Sequence, residues 1–413
     1  PPPTGPHRHA VSFPLGMVAA PDPPDGRRTA TPAPDLGPPA MPIKSIFQTE
    51  IKHTSILDEK GKFDAKLGKD LIPNDDLVRL YEHMLTCRVL DEVAFKLQRS
   101  GRMGTYPQNM GQEATSLGAA YVLDRKDWLV TCYRENAGLF WHGVPMTHVL
   151  LHWMGDERGN HIPADVHATP LSIPIGTQML HATGIAWAAK YKGTGEIACT
   201  FFGDGATSEG DFHEAANFAA NLDIPVIFFC QNNGWAISVP SKIQSSAPTF
   251  AQRGIAYGMD CHQVDGNDLF AVVKVMKDAV RTARETNRPV FIEALTYRLG
   301  DHTTADDARR YRDAAELEAW KARDPLLRLE TYMTKTLGIW SPEKQEAARA
   351  AALERVEATV KEAEGIAPPH KDEFFDHMYA EIPADLARQR DTMRTSGIGQ
   401  DPSQIAAPAH AGG

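Results

Sequence analysis

The fold is decided by residues 203–238, GDGATSEGDFHEAANFAANLDIPVIFFCQNNGWAIS. The uninterrupted apolar run IACTFF (197–202) leads into this stretch and predicts a buried strand, which the glycine-rich turn GDG ends. A helix is expected over 208–221, with Ser208 as its N-cap. The run PVIFFC (225–230) predicts a second buried strand, so the whole stretch forms a βαβ unit with the usual right-handed crossover.

The alternation of strands and helices continues on both sides of this unit. Further apolar strands are predicted at 127–132 and 290–296, and helices at 74–99, 111–123, 176–191 and 268–286. Strands without polar alternation, each followed by a helix, indicate a parallel sheet with helices on both faces. The sequence therefore predicts an α/β fold, to which helices at about 343–364 and 372–391 are added at the C-terminal end.

Two polar side chains, Asp204 and Asn233, follow the two strands of the βαβ unit. The carboxyl ends of neighbouring parallel strands share one sheet edge, which is where open α/β sheets bind ligands. One carboxylate, one amide oxygen and a carbonyl such as that of Trp235 supply half of an octahedral Mg²⁺ shell, and a diphosphate and a water complete it. Backbone N–H groups of the turn and the helix start would bind the phosphates.

Other phosphate-binding patterns are absent from this sequence. GDGATSEG lacks the third glycine of GxGxxG, and GxxxxGK[ST] does not occur. The alternative explanation of the stretch is that a glycine turn and an Asn-Gly turn only join buried strands.

The composition excludes several classes of protein. The chain has 413 residues, a formal net charge of −10 and 42% hydrophobic residues. We expect no nucleic-acid partner for an acidic chain without a basic face, and no run approaches the ~18 apolar residues of a membrane span. The five cysteines include no CxxC pair, which indicates neither a disulfide framework nor a zinc site. We therefore predict a reducing, intracellular setting. Few arginines and many prolines near the N-terminus give little support to an organelle transit peptide, so we expect a cytoplasmic location of the bacterial type rather than the mitochondrial matrix.

The two ends of the chain differ from its middle. Twelve of the 30 prolines fall in the first 40 residues, and we expect 1–45 to be disordered or extended because such a segment buries too little apolar surface. The tail 396–413 is expected to be flexible for the same reason, and the N-terminus lacks the pattern of a signal peptide. Residues 46–395 are expected to form one α/β domain with helical extensions.

The stretch 203–238 resembles the thiamine-diphosphate motif of the alpha subunits of 2-oxo acid dehydrogenases, the decarboxylating components of large multienzyme complexes. The resemblance extends from about Asn74 to Arg390 and includes four further motifs: TCYREN (131–136), PIGTQ (174–178), VDGND (264–268) and YRLGDHTTADDARRYR (297–312). DFHEAANFAA and NNGWAIS are most similar to the branched-chain members, and pyruvate and acetoin relatives are near neighbours.

This resemblance implies the thiamine-diphosphate-binding fold and a decarboxylating activity. The substrate would be a branched-chain 2-oxo acid of the 3-methyl-2-oxobutanoate type, with pyruvate and the acetoin relatives as alternatives. The acyl group would pass to lipoamide on the acyltransferase component of the complex. The cofactor itself supplies the electron sink for loss of carbon dioxide.

The resemblance also assigns cofactor-binding roles to individual residues. The cofactor set is Tyr133, Arg134, Ile173, Ile175, Asp204, Gly205, Ala206, Asn233, Trp235, Arg298 and His302. Within it, Asp204, Asn233 and the Trp235 carbonyl would hold Mg²⁺, Tyr133 and Arg134 would contact the diphosphate, and the backbone near Ile173 and Ile175 would meet the aminopyrimidine. The residues alone favour a strand-end pair with Arg134 in a salt bridge, and the resemblance reverses that preference.

The family pattern also covers Gln231 and the four residues of a K⁺-binding pattern. Some relatives have an arginine where this chain has Gln231, so that phosphate contact is not carried over. Some relatives bind K⁺ beside the cofactor through a Ser-x-Pro-x-x-Thr-Gln pattern, which Ser172, Pro174, Thr177 and Gln178 match.

The polar loop 300–312 is the second candidate for chemistry. His302 titrates near neutrality, so it can donate or accept a proton, and the resemblance places it at the thiazolium. The resemblance further assigns the loop to docking of the lipoyl domain, and Thr303 occupies the position that is phosphorylated in animal relatives. The alternative is a solvated, charged loop.

The resemblance implies an obligate partner. Thiamine-diphosphate enzymes need two related domains, the chain is long enough for one, and the carboxylate that activates the aminopyrimidine is not recognised in it. A beta subunit in an α2β2 heterotetramer would supply that carboxylate.

Two other classes of protein stay open: a nicotinamide-dependent oxidoreductase on a similar sheet, and a silent subunit that binds the cofactor only structurally. Substrate choice would depend on residues 103–110, where Tyr106 is either a pocket wall or a core residue.

Overall fold

The computed structural model describes residues 45–370 and 372–396, and the architecture below is that of the compact unit that begins at Ile51. The segment 1–45 and the tail 396–413, for which disorder or flexibility was predicted, lie outside the described residues apart from Ser45 and Ser396. Within the described ranges, no helix is long and apolar enough to cross a membrane.

A six-stranded parallel sheet forms the centre of this unit. Its strands lie in the order β1-β7-β8-β4-β3-β2, and β5 and β6 form a small antiparallel pair beside it. The strands are β1 His53–Thr54, β2 Trp128–Val130, β3 Ala198–Gly203, β4 Val226–Asn232, β5 Trp235–Ala236, β6 Val239–Pro240, β7 Asp260–Asp265 and β8 Val290–Leu295.

Fifteen α-helices are present among the described residues. They are α1 Ala65–Gly68, α2 Asn74–Arg99, α3 Glu113–Val122, α4 Asn136–His142, α5 Met146–Met154, α6 Thr177–Lys192, α7 Gly210–Asn221, α8 Ser241–Gln244, α9 Gln252–Ile255, α10 Leu269–Thr286, α11 Ala314–Lys321, α12 Pro325–Lys335, α13 Pro342–Gly365, α14 Glu373–Asp376 and α15 Ala384–Thr395. Short 3-10 turns cover Glu157–Asn160, Asp204–Ser208 and Ala308–Arg310.

Apolar side chains cover both faces of the sheet. Phe201 on β3 packs in one cluster with residues of α2, α3 and α10, whereas its neighbour Phe202 packs in a second cluster with residues of α6 and α7. Successive side chains of a strand point to opposite faces, so an uninterrupted apolar strand needs helices on both sides. The predicted α/β architecture is therefore confirmed.

The C-terminal helices depart in one place from the prediction. Helix α13 matches the helix predicted at 343–364 and packs on α2 through a third apolar cluster. The single helix predicted at 372–391 is wrong, because the chain forms α14 and α15 with a non-helical stretch between them. Pro383 caps α15, and a residue that precedes proline disfavours the helical conformation, so the helix cannot continue through Ile382.

Candidate active site

Asp204 and Asn233 lie next to each other where β3 and β4 end. Gly203 and Gln231 are paired in the parallel register, so Asp204 directly follows β3, and Asn233 directly follows β4. Both side chains are buried, with exposed fractions of 0% and 7%. The structure thus brings the two predicted metal ligands to the same edge of the sheet.

The carboxylate of Asp204 is buried without a hydrogen-bond partner on either oxygen among the described residues. Burial raises its pKa to about 6, and the backbone N–H groups of Asp204 and Asn233 and the charge of Arg298 oppose this shift only in part. An ionised group at neutral pH therefore carries a buried charge that its surroundings compensate incompletely. The described part of the chain has no cluster of three or more His, Cys, Asp or Glu side chains that could hold a metal. The donor set is therefore one carboxylate with amide and carbonyl oxygens, which suits a hard cation that keeps ligands from a phosphate.

The amide of Asn233 is held on both sides. Its Nδ2 donates to Oε1 of Gln112 at 3.1 Å, and its Oδ1 accepts from the N–H of Trp235 at 3.1 Å. These bonds fix the direction of the amide oxygen at the end of β4. They also bring the backbone of Trp235 next to the candidate metal ligands.

The chain leaves β3 through a 3-10 turn and not directly into an α-helix. Ser208, the predicted N-cap, is the last residue of the turn, whereas α7 begins at Gly210 after Glu209. The prediction was wrong by two residues because the GDGATS segment closes a tighter turn before the helix starts. In this turn a Cβ on Gly205 would lie 2.8 Å from Cβ of Ala236, so the close approach of the turn to β5 requires glycine.

A cleft opens at this edge of the sheet, and most residues of the predicted cofactor set line it. Those lining residues are Tyr133, Arg134, Ile175, Gly205, Ala206, Asn233, Trp235, Arg298 and His302. Asp204 and Ile173 are not part of this lining: Asp204 is fully buried between the lining residues Gly203 and Gly205, whereas Ile173 is 46% exposed. The cleft therefore joins Asn233 and Trp235 to the loop that carries His302.

The basic end of the cleft is formed by two arginines around His302. Arg134 donates through Nη2 to the carbonyl oxygen of His302 at 2.8 Å and through Nη1 to the carbonyl oxygen of Gln108. Arg298 donates through Nη2 to the carbonyl oxygen of Ile237 at 3.0 Å, while its buried Nε has no partner among the described residues. The guanidinium of Arg134 is bound by carbonyl oxygens and not by a carboxylate, so both arginines keep positive charge to offer to an anionic ligand.

His302 is held neutral by this surrounding. Burial, Arg134 and Arg298 lower its pKa to about 3, against a smaller opposite effect of Asp306. Its Nδ1 lies 3.4 Å from Nη2 of Arg134 and 3.3 Å from Nη1 of Arg298. Because guanidinium groups only donate, Nδ1 acts as the acceptor, and the proton of the neutral ring is on Nε2.

The loop that carries His302 is anchored by side-chain and backbone contacts. Asp306 accepts from the N–H of His302 at 3.0 Å and from the hydroxyl of Tyr311. Thr304 is buried and exchanges two hydrogen bonds with the backbone of Tyr106. Tyr106 itself is buried in an apolar cluster and does not line the cleft, so the core alternative holds for this residue.

Gln231 lies inside the cleft lining but is bound to its neighbours. Its Nε2 donates to Oε1 of Glu135 at 2.6 Å, and its Oε1 accepts from the hydroxyl of Thr115. Burial raises the pKa of Glu135 to about 7. The amide of Gln231 is therefore directed to a carboxyl group of this chain.

The four residues of the K⁺ pattern are only partly brought together. Ser172 donates through its hydroxyl to the carbonyl oxygen of Pro174 at 3.2 Å. Thr177 donates to Asp211 at 3.2 Å, and Gln178 donates through Nε2 to the carbonyl oxygen of Phe201 at 3.0 Å. The Oε1 of Gln178 is buried and has no partner among the described residues, so one oxygen of the pattern is free for a cation.

Sequence reasoning missed eight residues of the cleft. They are Gln112, Cys132, Glu135, Gly203, Glu209, Gln231, Ala236 and Ile237. Seven of them lie within the motifs already singled out, so proximity to Tyr133, Asp204 or Asn233 was an available signal. Gln112 precedes its partner Asn233 by 121 residues, and no local pattern marks it.

The parallel sheet and the polar cleft at its carboxyl edge define the class of this protein: a cofactor-dependent α/β enzyme. Residues 81–371 match the model of a family described as dehydrogenase E1 component. The chain belongs to the dehydrogenase E1 component family, whose members are 2-oxo acid dehydrogenases that work with thiamine diphosphate.

Two curated relatives are similar to most of the chain. A protein of Mycobacterium tuberculosis (strain ATCC 25618 / H37Rv), 3-methyl-2-oxobutanoate dehydrogenase subunit alpha, is 44% identical over 356 residues, which cover 86% of this chain and 96% of the relative. A protein of Staphylococcus aureus (strain Mu50 / ATCC 700699), pyruvate dehydrogenase E1 component subunit alpha, is 38% identical over 354 residues, which cover 85% of this chain and 95% of the relative.

Proposed function

We propose that this chain is the alpha subunit of a branched-chain 2-oxo acid dehydrogenase. The substrate would be a branched-chain 2-oxo acid of the 3-methyl-2-oxobutanoate type, and the acyl group would pass to lipoamide. The observation that carries the substrate assignment is the 44% identity to the mycobacterial 3-methyl-2-oxobutanoate dehydrogenase subunit alpha over 86% of this chain.

The buried edge of the sheet fits Mg²⁺ and the diphosphate of thiamine diphosphate. Asp204, Asn233 and the carbonyl of Trp235 would hold the metal, because neither buried carboxylate oxygen of Asp204 accepts a side-chain hydrogen bond from residues 45–370 or 372–396. Gly205 and Ala206 would offer backbone groups of the 3-10 turn to the diphosphate. When bound, the cofactor supplies the carbon nucleophile and the electron sink that let a 2-oxo acid lose carbon dioxide.

The basic end of the cleft fits the negative charge of the cofactor. Arg134 and Arg298 would bind the diphosphate side, and Tyr133 would line it, its ring centroid 6.3 Å from that of His302. His302, neutral with its proton on Nε2, would donate that proton to an oxygen of the substrate or return it during the reaction. Ile175, with Ile173 beside it in the sequence, would meet the aminopyrimidine through the backbone.

K⁺ is proposed as a structural cation of the same region. Ser172, Pro174, Thr177 and Gln178 would supply its oxygens. The support for this is the unpartnered, buried Oε1 of Gln178. The cation would stabilise the segment that leads into α6, next to Ile175 at the cleft.

A beta subunit is the proposed partner, in an α2β2 heterotetramer, and the lipoyl domain of the acyltransferase component would dock at the loop 300–312. The matched relatives are named as subunits, which supports an assembly of more than one chain. The missing carboxylate for the aminopyrimidine would come from the beta subunit. The cytoplasmic location stays a prediction.

A pyruvate dehydrogenase alpha subunit is the second candidate, because the relatives from Staphylococcus aureus carry that name at 38% identity. The test is to co-express the chain with a candidate beta subunit and to compare dye reduction with 3-methyl-2-oxobutanoate and with pyruvate. We expect the higher kcat/KM with 3-methyl-2-oxobutanoate. A higher value with pyruvate would replace the branched-chain assignment with the second candidate, and full activity of this chain alone would refute the need for a beta subunit.

A further inference from the structure

A buried carboxylate on α2, that of Asp91, lies outside the cleft lining and takes no part in the proposed function. Its exposed fraction is 0%. Its Oδ1 accepts from the hydroxyl of Tyr106 at 2.8 Å, and its Oδ2 accepts from the N–H of Asn109 at 2.6 Å. Asp91 therefore ties α2 to both ends of the segment 106–109.

The segment 106–109 in turn contacts both parts of the basic end of the cleft. The carbonyl oxygen of Gln108 accepts from Nη1 of Arg134. The N–H of Tyr106 donates to Oγ1 of Thr304 at 3.0 Å, and the N–H of Thr304 donates to the carbonyl oxygen of Tyr106 at 2.9 Å. Because Thr304 lies two residues after His302, one short segment holds the Arg134 guanidinium and the loop of His302.

A second tie comes from the start of α4. Nδ2 of Asn136 donates to the hydroxyl oxygen of Tyr106 at 2.8 Å, and its N–H donates to Oδ1 of Asn109 at 3.0 Å. Asn136 follows Arg134 by two residues. The segment 106–109, which Asp91 holds, therefore contacts the side chain of Arg134 and the backbone two residues after it.

The presence of a carboxylate at this position has a cost in folding free energy. Burial and the nearby charge of Glu113 raise the pKa of Asp91 to about 7, because the ionised form is poorly solvated there. An apolar side chain would avoid that cost, but it would leave the Tyr106 hydroxyl and the Asn109 N–H without an acceptor. The carboxylate is needed for the position of the segment more than for packing.

We propose that Asp91 is a positioning residue for the reaction: through the segment 106–109 it sets the Arg134 guanidinium relative to His302. The inference rests on the proposed function, which assigns Arg134 to the diphosphate and His302 to proton transfer. It adds that a side chain outside the cleft controls their mutual placement.

The test uses the complex of both subunits and two variants, Asp91→Asn and Tyr106→Phe. Each weakens the tie between α2 and the segment while keeping side-chain volume. Tyr81→Phe is the matched control, because Tyr81 is also fully buried on α2, and its hydroxyl donates to Gln345 at 2.8 Å, away from the cleft lining. If Asp91→Asn fails to fold, Tyr106→Phe decides.

Two readouts are compared: binding of thiamine diphosphate with Mg²⁺ by calorimetry, and hydrogen exchange of residues 300–312 without cofactor. We expect Asp91→Asn and Tyr106→Phe to weaken binding about tenfold and to speed exchange of the loop, while Tyr81→Phe changes neither. Equal binding and equal loop exchange in all three variants would overturn the inference.

The two proposals fail in different ways. If the unmodified complex binds no thiamine diphosphate, the proposed function is wrong, and the exchange of residues 300–312 still shows whether Asp91 fixes the loop. If the unmodified complex binds the cofactor but the variants at Asp91 and Tyr106 match the Tyr81 control, only the positioning role is wrong.

Discussion

Nη1 of Arg298 lies 3.3 Å from Nδ1 of His302, so a permanently charged group faces the acceptor nitrogen of the imidazole. The guanidinium of Arg134 approaches the same nitrogen at 3.4 Å. Two positive charges next to a half-buried ring oppose its protonation, and the carboxylate of Asp306 compensates only in part. The candidate proton-transfer group is therefore a neutral donor at Nε2.

The first prediction concerns the pKa of His302. We expect NMR of labelled protein without cofactor to place this pKa at about 3. The change Arg298→Gln removes one of the facing charges and should raise the pKa of His302. Arg309→Gln is the control, because the side chain of Arg309 is 89% exposed and pairs with Asp307. A titration of His302 near its ordinary value of 6.5 would contradict the neutral donor.

The same pKa has a consequence for stability. The folded chain resists protonation of His302 that the unfolded chain accepts near pH 6.5, so the unfolded state binds more protons between that pH and about 3. We therefore expect this group to make the free energy of unfolding fall as the pH drops below about 6.5. In His302→Gln, denaturation curves recorded at decreasing pH should lack the part of the decrease in the free energy of unfolding that this group causes.

The second prediction separates stability from binding at Asp204. The change Asp204→Asn removes a buried charge that the described residues compensate incompletely, so the free chain should become more stable by about 1–3 kcal/mol in urea denaturation at neutral pH. Binding of thiamine diphosphate with Mg²⁺ should fall by two orders of magnitude or more, because the metal loses its carboxylate. Asp260→Asn, on an exposed residue of β7, should change neither quantity. A variant that binds the cofactor as tightly as the unmodified chain would refute the metal assignment.

Asp204 and Asn233 could be predicted because the signal is local. Uninterrupted apolar runs mark the strands, and polar residues directly after them must lie at one edge of a parallel sheet. The lack of side-chain donors to the Asp204 carboxylate among the described residues could not be predicted, because it depends on the positions of all the neighbouring elements. The hydrogen bond between Asn233 and Gln112 could not be predicted either, because contacts between distant parts of the chain leave no periodic pattern in the sequence.

The loop of His302 shows the same limit. Its polar sequence fits a solvated loop as well as an ordered one, and only the structure shows that Thr304 is buried and paired with Tyr106.

Strand β7 was not predicted for a related reason. Its sequence DCHQVD is polar, so it lacks the apolar run that marked the other strands, and its register with β8 decides its structure.

The third prediction tests the close approach of the turn to β5. In Gly205→Ala the new Cβ would lie 2.8 Å from Cβ of Ala236, so the turn or β5 must move. We expect a loss of about 1–3 kcal/mol in the free energy of unfolding, and weaker cofactor binding because the turn carries the candidate phosphate-binding amides. Gly210→Ala is the matched control, as its Cβ meets only Oε1 of Glu214 at 3.9 Å. Equal stability of the two variants would show that the turn adapts freely.

The fourth prediction concerns K⁺ and the free oxygen of Gln178. If Oε1 of Gln178 is a cation ligand, K⁺ should raise the melting temperature of the complex more than Na⁺ at equal ionic strength, because a ligand that binds only the folded state stabilises it. Gln178→Leu should abolish the difference between the two cations, whereas Thr183→Val should keep it. Thr183 is the suitable control because it is also buried on α6 and its hydroxyl donates to the carbonyl oxygen of Met179 within the same helix. Equal melting temperatures in K⁺ and Na⁺ for the unmodified complex would contradict the proposed K⁺ site. The oxygen of Gln178 would then be a buried acceptor without a hydrogen bond from the described residues, at a cost in folding free energy that the structure tolerates.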